Sequence, residues 1–178
     1  DNNGGFRWGK WSDEPSLWAT EQVLHTLGLL RMAGYLPDDV RIMPMMRKAL
    51  SYMDKEYGRV NKKVTPDMGY AVVRSLWKDV APSSFGRKVV DATLADCTAK
   101  WKDASTARKA DMAILLDIYG RTAVAREIIG SISQFAVSTA SQGVSFPSVS
   151  SIESYAPLLI SFGRVDATSP LIDGMRQW

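Results

Sequence analysis

Three carboxylates near the start of the chain are the residues whose type and spacing best suit acid–base chemistry. Asp13, Glu14 and Glu21 lie in and just after a predicted helix start. Glycoside hydrolysis uses two carboxyl groups about 5 to 9.5 Å apart, and two helical turns would separate the Cα atoms of Glu14 and Glu21 by about 10.5 Å. The carboxyl groups of Glu14 and Glu21 could therefore only just come within the separation that glycoside hydrolysis needs. Acidic residues are also expected at helix starts because they complement the helix dipole. We favour this second interpretation and predict a chain that is not an enzyme.

Aromatic side chains form the most unusual feature of the same segment. Phe6, Trp8, Trp11 and Trp18 lie within one loop and the helix start that follows it. Exposed indoles can stack on sugar rings or anchor a peptide. Alternatively, the rings plug the end of a helical barrel, which we favour because large aromatic side chains are mostly buried. Phe146 follows a glycine in a second loop late in the chain, and these five residues are our candidate binding residues.

The scarcity of histidine and cysteine excludes several kinds of site. One Cys and one His rule out an intrachain disulfide and any Cys/His zinc cluster. His25 lies on a largely apolar helix, where a lone histidine is usually a packing residue, and Cys97 lies on an apolar stripe that predicts a buried, inert thiol. The acidic pair Asp38 and Asp39 matches the motifs of terpene cyclases over two residues only. We predict no metal and no cofactor.

Composition indicates an ordinary globular chain. It has 178 residues, of which 46% are hydrophobic and 23% charged, and no stretch approaches the roughly 20 apolar residues of a membrane helix. The 22 basic residues outnumber the 19 acidic ones by only three and are scattered in pairs, which argues against nucleic-acid binding. We predict one domain or part of one over residues 1–178, and we expect the chain to be a piece of a longer protein.

Hydrophobic periodicity predicts helices throughout and almost no strands, so the fold class is all-α. In the first helix Val23, Leu27 and Leu30 recur at helical spacing. Asp38 and Asp39 are expected to cap a short turn that Pro44 interrupts, and the second helix is predicted beyond Pro44. The longest irregular stretch is a Ser/Gly/Pro-rich loop at residues 138–151. Helix starts are predicted at the following places: Glu14–Ser16, Thr65–Asp67, Ser83 or Ser84, Ser105 or Thr106, Thr122, Ser150 and Ser169–Pro170.

The helices pair naturally into hairpins. Starts near Glu14, Pro66, Thr106 and Ser150 fall about 40–50 residues apart, which is the period of two helices and two loops. An α/α-toroid and an open α-solenoid would both produce this pattern, because each hairpin must lay its apolar faces on its neighbours. We predict helical hairpins in a toroid-like, incomplete arrangement.

The aromatic segment also carries a resemblance to a known family. The run Gly4-Gly5-Phe6-Arg7-Trp8-Gly9-Lys10-Trp11, followed by Ser16, Thr20 and an apolar helix, resembles bacterial alpha-2-macroglobulin-like proteins. In that family a glycine-glycine-aromatic, tryptophan-rich loop leads into an inner helix of the thioester-type α/α-toroid domain. The run Leu171-Ile172-Asp173-Gly174-Met175-Arg176-Gln177-Trp178 is similar to its later hairpins. The resemblance implies a large multi-domain protein in the periplasm or at the cell surface, often a membrane-anchored lipoprotein, that acts as an endopeptidase inhibitor by trapping proteases.

The sequence departs from the family at the residues that would do covalent chemistry. Thioester members carry Cys-Gly-Glu-Gln, whereas the single cysteine here lies in Asp96-Cys97-Thr98-Ala99, so no thioester can form. We therefore expect a non-enzymatic module that acts through protein–protein contacts with proteases or with other domains of its own protein. About four hairpins, against about six in the family's full toroid, would leave apolar edges that favour self-association. The alternative is a carbohydrate-active or glycan-binding α/α-barrel that uses the Trp8/Trp11 loop.

Overall fold

A computed structural model describes residues 2–9, 11–32, 34–36, 41–141, 143–147 and 149–177 of the chain. Apart from one two-stranded hairpin, the regular secondary structure of these residues is helical, which confirms the all-α prediction. No helix in the part described is both long and apolar enough to cross a bilayer. The elements are α1 (Leu17–Met32), α2 (Ile42–Asn61), α3 (Met68–Leu76), α4 (Ser84–Lys100), a 3-10 turn (Trp101–Asp103), α5 (Thr106–Ile118), α6 (Thr122–Ser133), β1 (Val137–Thr139), β2 (Gly143–Ser145), α7 (Ile152–Val165) and α8 (Leu171–Met175).

Short polar side chains set most helix starts. Ser16 accepts a hydrogen bond from the Ala19 amide at 3.3 Å, and the other capping side chains satisfy first-turn amides in the same way. They are Asp67 for α3, Ser83 for α4, Ser105 for α5 and Ser151 for α7. The predicted starts are therefore confirmed within a few residues. Asp38 and Asp39 lie outside the described residues.

The second helix begins before Pro44, whereas the sequence predicted it beyond this residue. The helix begins at Ile42, so Pro44 falls in its first turn. Amides there have no intrahelical acceptor, and proline, which lacks an N–H, is tolerated at that position.

The chain divides into two compact units, Asp1–Thr93 and Leu94–Trp178, and the division falls within α4. In the first unit α1 packs against α2 and α3. Its core contains Leu24, Met46, Leu50, Met53 and Trp77, and the Trp77 indole N–H donates to the Leu24 carbonyl at 2.9 Å.

The inward face of α1 differs from the predicted one. Its buried residues are Ala19, Thr20, Leu24 and Gly28, whereas Leu30 of the predicted stripe is exposed. The helix is apolar around most of its circumference, so periodicity could not fix which side faces the core. Glycine suits the inward position 28, because a Cβ there would lie 2.7 Å from the Leu76 Cβ and 2.9 Å from the Trp77 Nε1.

In the second unit α5 packs against α6 and α7, and α8 lies on β2. Its core contains Leu115, Leu116, Ile128, Ile132 and Phe162. The stretch at residues 138–151 overlaps an antiparallel hairpin of β1 and β2, with Val137 opposite Ser145. Strands of three residues are too short to show a period-two pattern, so periodicity could not predict this hairpin.

Candidate functional site

The aromatic segment, described over residues 6–9 and 11–16, forms a loop with closely spaced ends, which we call the aromatic loop. The Ser16 amide donates to the Phe6 carbonyl at 2.9 Å, and the Phe6 amide donates to Thr20 Oγ1 at 2.9 Å. Thr20 is fully buried, and its hydroxyl donates in turn to the Ser16 carbonyl at 2.8 Å. Both ends of the loop are thus fixed to the first turn of α1, as in a compact surface loop with closely spaced ends.

Two glycines and a tyrosine fasten the base of the aromatic loop to α2. The Tyr52 hydroxyl donates to the Pro15 carbonyl at 2.9 Å. A Cβ on Gly5 would come within 2.7 Å of the Tyr52 ring, and one on Gly4 would come within 2.5 Å of the Lys48 backbone. Gly4 also has φ 90°, a conformation that favours glycine. The glycine pair therefore allows close contact between the loop and the helix.

The indoles of this segment face solvent. Trp8, Trp11 and Trp18 are 71%, 86% and 52% exposed, so the favoured prediction that these rings plug the end of a helical barrel is wrong for all three. Trp8 and Trp18 pack edge to face with 4.5 Å between ring centroids. Phe6, at the base, is half-buried. The rings remain outside because α1 turns its small residues Ala19 and Thr20 toward the core at this level.

Phe146, the fifth predicted binding residue, is buried. It is 3% exposed, and its ring lies 6.1 Å from that of Phe162 and 6.3 Å from that of Tyr155. Its place in the core of the second unit corrects the prediction that it is a binding residue. Beside it, the Tyr155 hydroxyl donates to the Val144 carbonyl and ties α7 to β2.

A cavity of about 340 Å³ adjoins the base of the aromatic loop. It is lined by Gly4, Gly5, Phe6, Arg41, Pro44, Met45 and Lys48. The lining combines apolar surface with two cationic side chains. A ligand that carries a negative charge beside an apolar group fits this lining.

The carboxylates do not form the predicted pair. Glu14 is exposed and precedes α1, so two helical turns do not separate it from Glu21. Glu21 is half-buried, and desolvation, followed by the charge of Asp67, raises its pKa to about 7. Asp67 Oδ2 accepts a hydrogen bond from the Tyr57 hydroxyl at 2.7 Å, while Oδ1 caps α3. Asp67 is therefore held in a structural role beside Glu21.

A buried polar cluster in the first unit was not predicted from the sequence. Asp54 Oδ1 accepts from the Tyr70 hydroxyl and Oδ2 from the Ser83 amide, each at 2.5 Å. Arg74 Nε lies 3.9 Å from Asp54 Oδ1. The interacting residues are 16 to 29 positions apart in the chain, and no local spacing relates them.

The single histidine and the single cysteine are both shielded from solvent, the first in part and the second fully. Burial lowers the pKa of the half-buried His25 imidazole. Cys97 is buried, and desolvation raises its thiol pKa to about 11, as its place on an apolar stripe predicted. Among the residues that the structure describes, no group of His, Cys, Asp and Glu could hold a metal ion.

Comparisons with protein-family models, with curated proteins and with solved structures find no match to this chain.

Proposed function

We propose that this chain is a non-enzymatic protein-interaction module that binds a partner segment through the aromatic loop. The observation that carries the proposal is the exposure of Trp8 and Trp11 on a loop whose two ends are fixed by hydrogen bonds. A fixed loop presents its side chains without a large entropic cost of ordering on binding. Tryptophan is also the side chain most enriched among residues that dominate binding energy.

The cavity beside Phe6 favours a polypeptide with acidic and apolar residues as the partner. Arg41 and Lys48 supply positive charge, while Phe6 and Met45 supply apolar surface. An extended segment would place an apolar side chain against the indoles and a carboxylate toward the two cations. Arginine, methionine and tryptophan are residue types enriched at protein interfaces.

The resemblance to alpha-2-macroglobulin-like proteins remains part of the proposal. In this interpretation the chain is a scaffold module from an α/α-toroid of a periplasmic or cell-surface protein, and it contributes to protease inhibition without a thioester. The buried thiol of Cys97 is consistent with noncovalent action. Open toroid edges would make the chain self-associate, so light scattering at increasing concentration should give a rising mass. A constant monomer mass would contradict that part of the proposal.

Peptide selection tests the binding function. We expect a random peptide library displayed on phage to yield sequences with Asp or Glu next to an aromatic or aliphatic residue. The double variant W8A/W11A should weaken binding of a selected peptide by about 30-fold or more. F135A, which removes an exposed aromatic ring of the second unit, is the matched control and should bind as the wild type does. Equal affinity in W8A/W11A would contradict the proposal.

Glycan binding is the second candidate function, and the three exposed indoles favour it. Indole faces stack on sugar rings in the same way as they pack on apolar side chains. Titration with soluble oligosaccharides, followed by tryptophan fluorescence, separates the two functions. Saturable quenching that W8A/W11A abolishes, together with no selected peptide, would support the glycan function.

A further inference from the structure

A second cavity of the first unit, distinct from the aromatic loop, is lined by both polar and apolar residues. Its volume is about 280 Å³, just below the range of about 300–1,000 Å³ typical of sites for drug-sized ligands. Its polar lining consists of Arg47, Ser51, Asp54, Lys55, Arg74 and Ser83. A cavity of this size suits a small ligand.

Arg74 is an under-satisfied buried cation in this lining. Its side chain is 2% exposed, and Nη2 donates to the Val80 carbonyl at 2.5 Å. Nε and Nη1 have no hydrogen-bond partner among the described residues. A buried N–H without an acceptor destabilises the folded state, more strongly when the group is charged, so native structures nearly always satisfy it.

Asp54 does not complete the hydrogen bonding of Arg74. Its two oxygens already accept from the Tyr70 hydroxyl and the Ser83 amide, and the 3.9 Å separation from Arg74 Nε is too long for a hydrogen bond. The pair is therefore an electrostatic contact, and the guanidinium retains donor capacity.

The charge around the cavity is also unbalanced. Arg47, Lys55 and Arg74 carry three positive charges against the single negative charge of Asp54. The Arg31 guanidinium donates to both carboxylate oxygens of nearby Asp79, from Nη1 at 2.8 Å and from Nη2 at 3.1 Å. The pKa of Asp79 is lowered chiefly by its hydrogen bond to Arg31 and in small part by Arg47. The 17-residue helix α4 begins beside Ser83, and its positive dipole end adds to the same potential.

We infer that this cavity binds a small oxyanion of the phosphate class. Arg74 and Arg47 supply guanidinium donors, Lys55 supplies an ammonium group, and the Ser51 hydroxyl supplies a neutral donor. Guanidinium groups match the geometry of phosphate oxygens and bind them through paired hydrogen bonds. The ligand is either free phosphate or the phosphoryl group of a small monoester, since both present the same oxygens.

Calorimetric titration with inorganic phosphate and with glycerol 3-phosphate tests the inference on the intact chain, in chloride buffer of constant ionic strength. We expect saturable millimolar binding of at least one of them, weakened about tenfold or more in R47Q and in K55Q, which remove cationic donors outside the buried pair. K63Q removes an exposed lysine outside this lining and should bind as the wild type does.

The two ligands distinguish the sources of the phosphoryl group. Tighter binding of inorganic phosphate identifies the free ion, and tighter binding of glycerol 3-phosphate identifies a monoester. Absence of saturable binding of either ligand would overturn the inference and would indicate that water satisfies Arg74. Equal weakening in K55Q and K63Q would also overturn it, because the binding would then be nonspecific charge attraction.

Discussion

The backbone N–H of Phe6 donates a hydrogen bond to the side-chain oxygen of Thr20, fourteen residues later in the chain. This contact joins the start of the aromatic loop to a fully buried position on α1. The loop that presents Trp8 and Trp11 is therefore anchored in the core of the first unit. Stability of the core and presentation of the indoles are physically linked through this residue.

Substitution of Thr20 by Val tests that link. The methyl group keeps the shape of the side chain but removes the acceptor of the Phe6 amide, so we expect a loss of about 1–3 kcal/mol in the free energy of unfolding. Hydrogen exchange at the Phe6 amide should accelerate. T65V, at an exposed position, should change neither quantity. Unchanged protection of Phe6 in T20V would show that the contact does not hold the loop.

The glycines at the loop base give a second prediction. Gly4→Ala and Gly5→Ala place a methyl group against Lys48 and against Pro15 and Tyr52, so each should destabilise the chain by about 1–3 kcal/mol in urea unfolding. Gly9→Ala is the matched control because nothing lies within 4 Å of the added Cβ, and we expect little change. Equal stability of all three variants would contradict the described packing.

The raised pKa of Glu21 leads us to predict that the stability of the chain depends on pH. Its folded pKa is raised from 4.5 to about 7 by burial and by Asp67, so between these values the folded state binds more protons than the unfolded state. Stability therefore decreases as pH rises through this window. In Glu21→Gln that decrease should become smaller in urea unfolding at a series of pH values. E127Q, at an exposed position on α6, should keep the wild-type slope. An unaltered slope in E21Q would contradict the assignment.

Cys97 should be unreactive in the folded chain. Burial raises its pKa to about 11, which leaves roughly a thousandth of the thiol ionised at about pH 8, and the thiolate is the reactive form. Labelling with a disulfide reagent should be slow in buffer and fast in urea. Because the chain has one cysteine, all of the labelling signal comes from Cys97. Rapid labelling of the folded chain would contradict the described burial.

The helix starts could be predicted from the sequence, because they depend on residues close together in the chain. Helix starts at Ser16, Asp67, Ser105 and Ser151 follow from side chains that cap the next turn. The inward face of α1 could not be predicted, because the apolar residues of this helix are spread around its circumference. Its orientation depends on where Trp77 packs.

The candidate site was predicted only in part. Composition identified Trp8, Trp11 and Trp18, but their exposure depends on how the loop closes on Thr20 and Tyr52. We predicted that these indoles are buried because large aromatic residues are buried on average, but all three are exposed. The contact of Asp54 with Tyr70 also lay beyond local inference, since it arises when α2 and α3 pack together.

The most direct test of the proposed binding surface is the indole N–H spectrum of the labelled chain, recorded with and without a selected peptide. We predict that the signals of Trp8, Trp11 and Trp18 shift on binding. The signal of Trp77, whose indole is buried against Leu24, and that of Trp101 in the second unit should stay in place. Shifts confined to Trp101 or Trp77 would contradict the proposal that the aromatic loop is the binding surface.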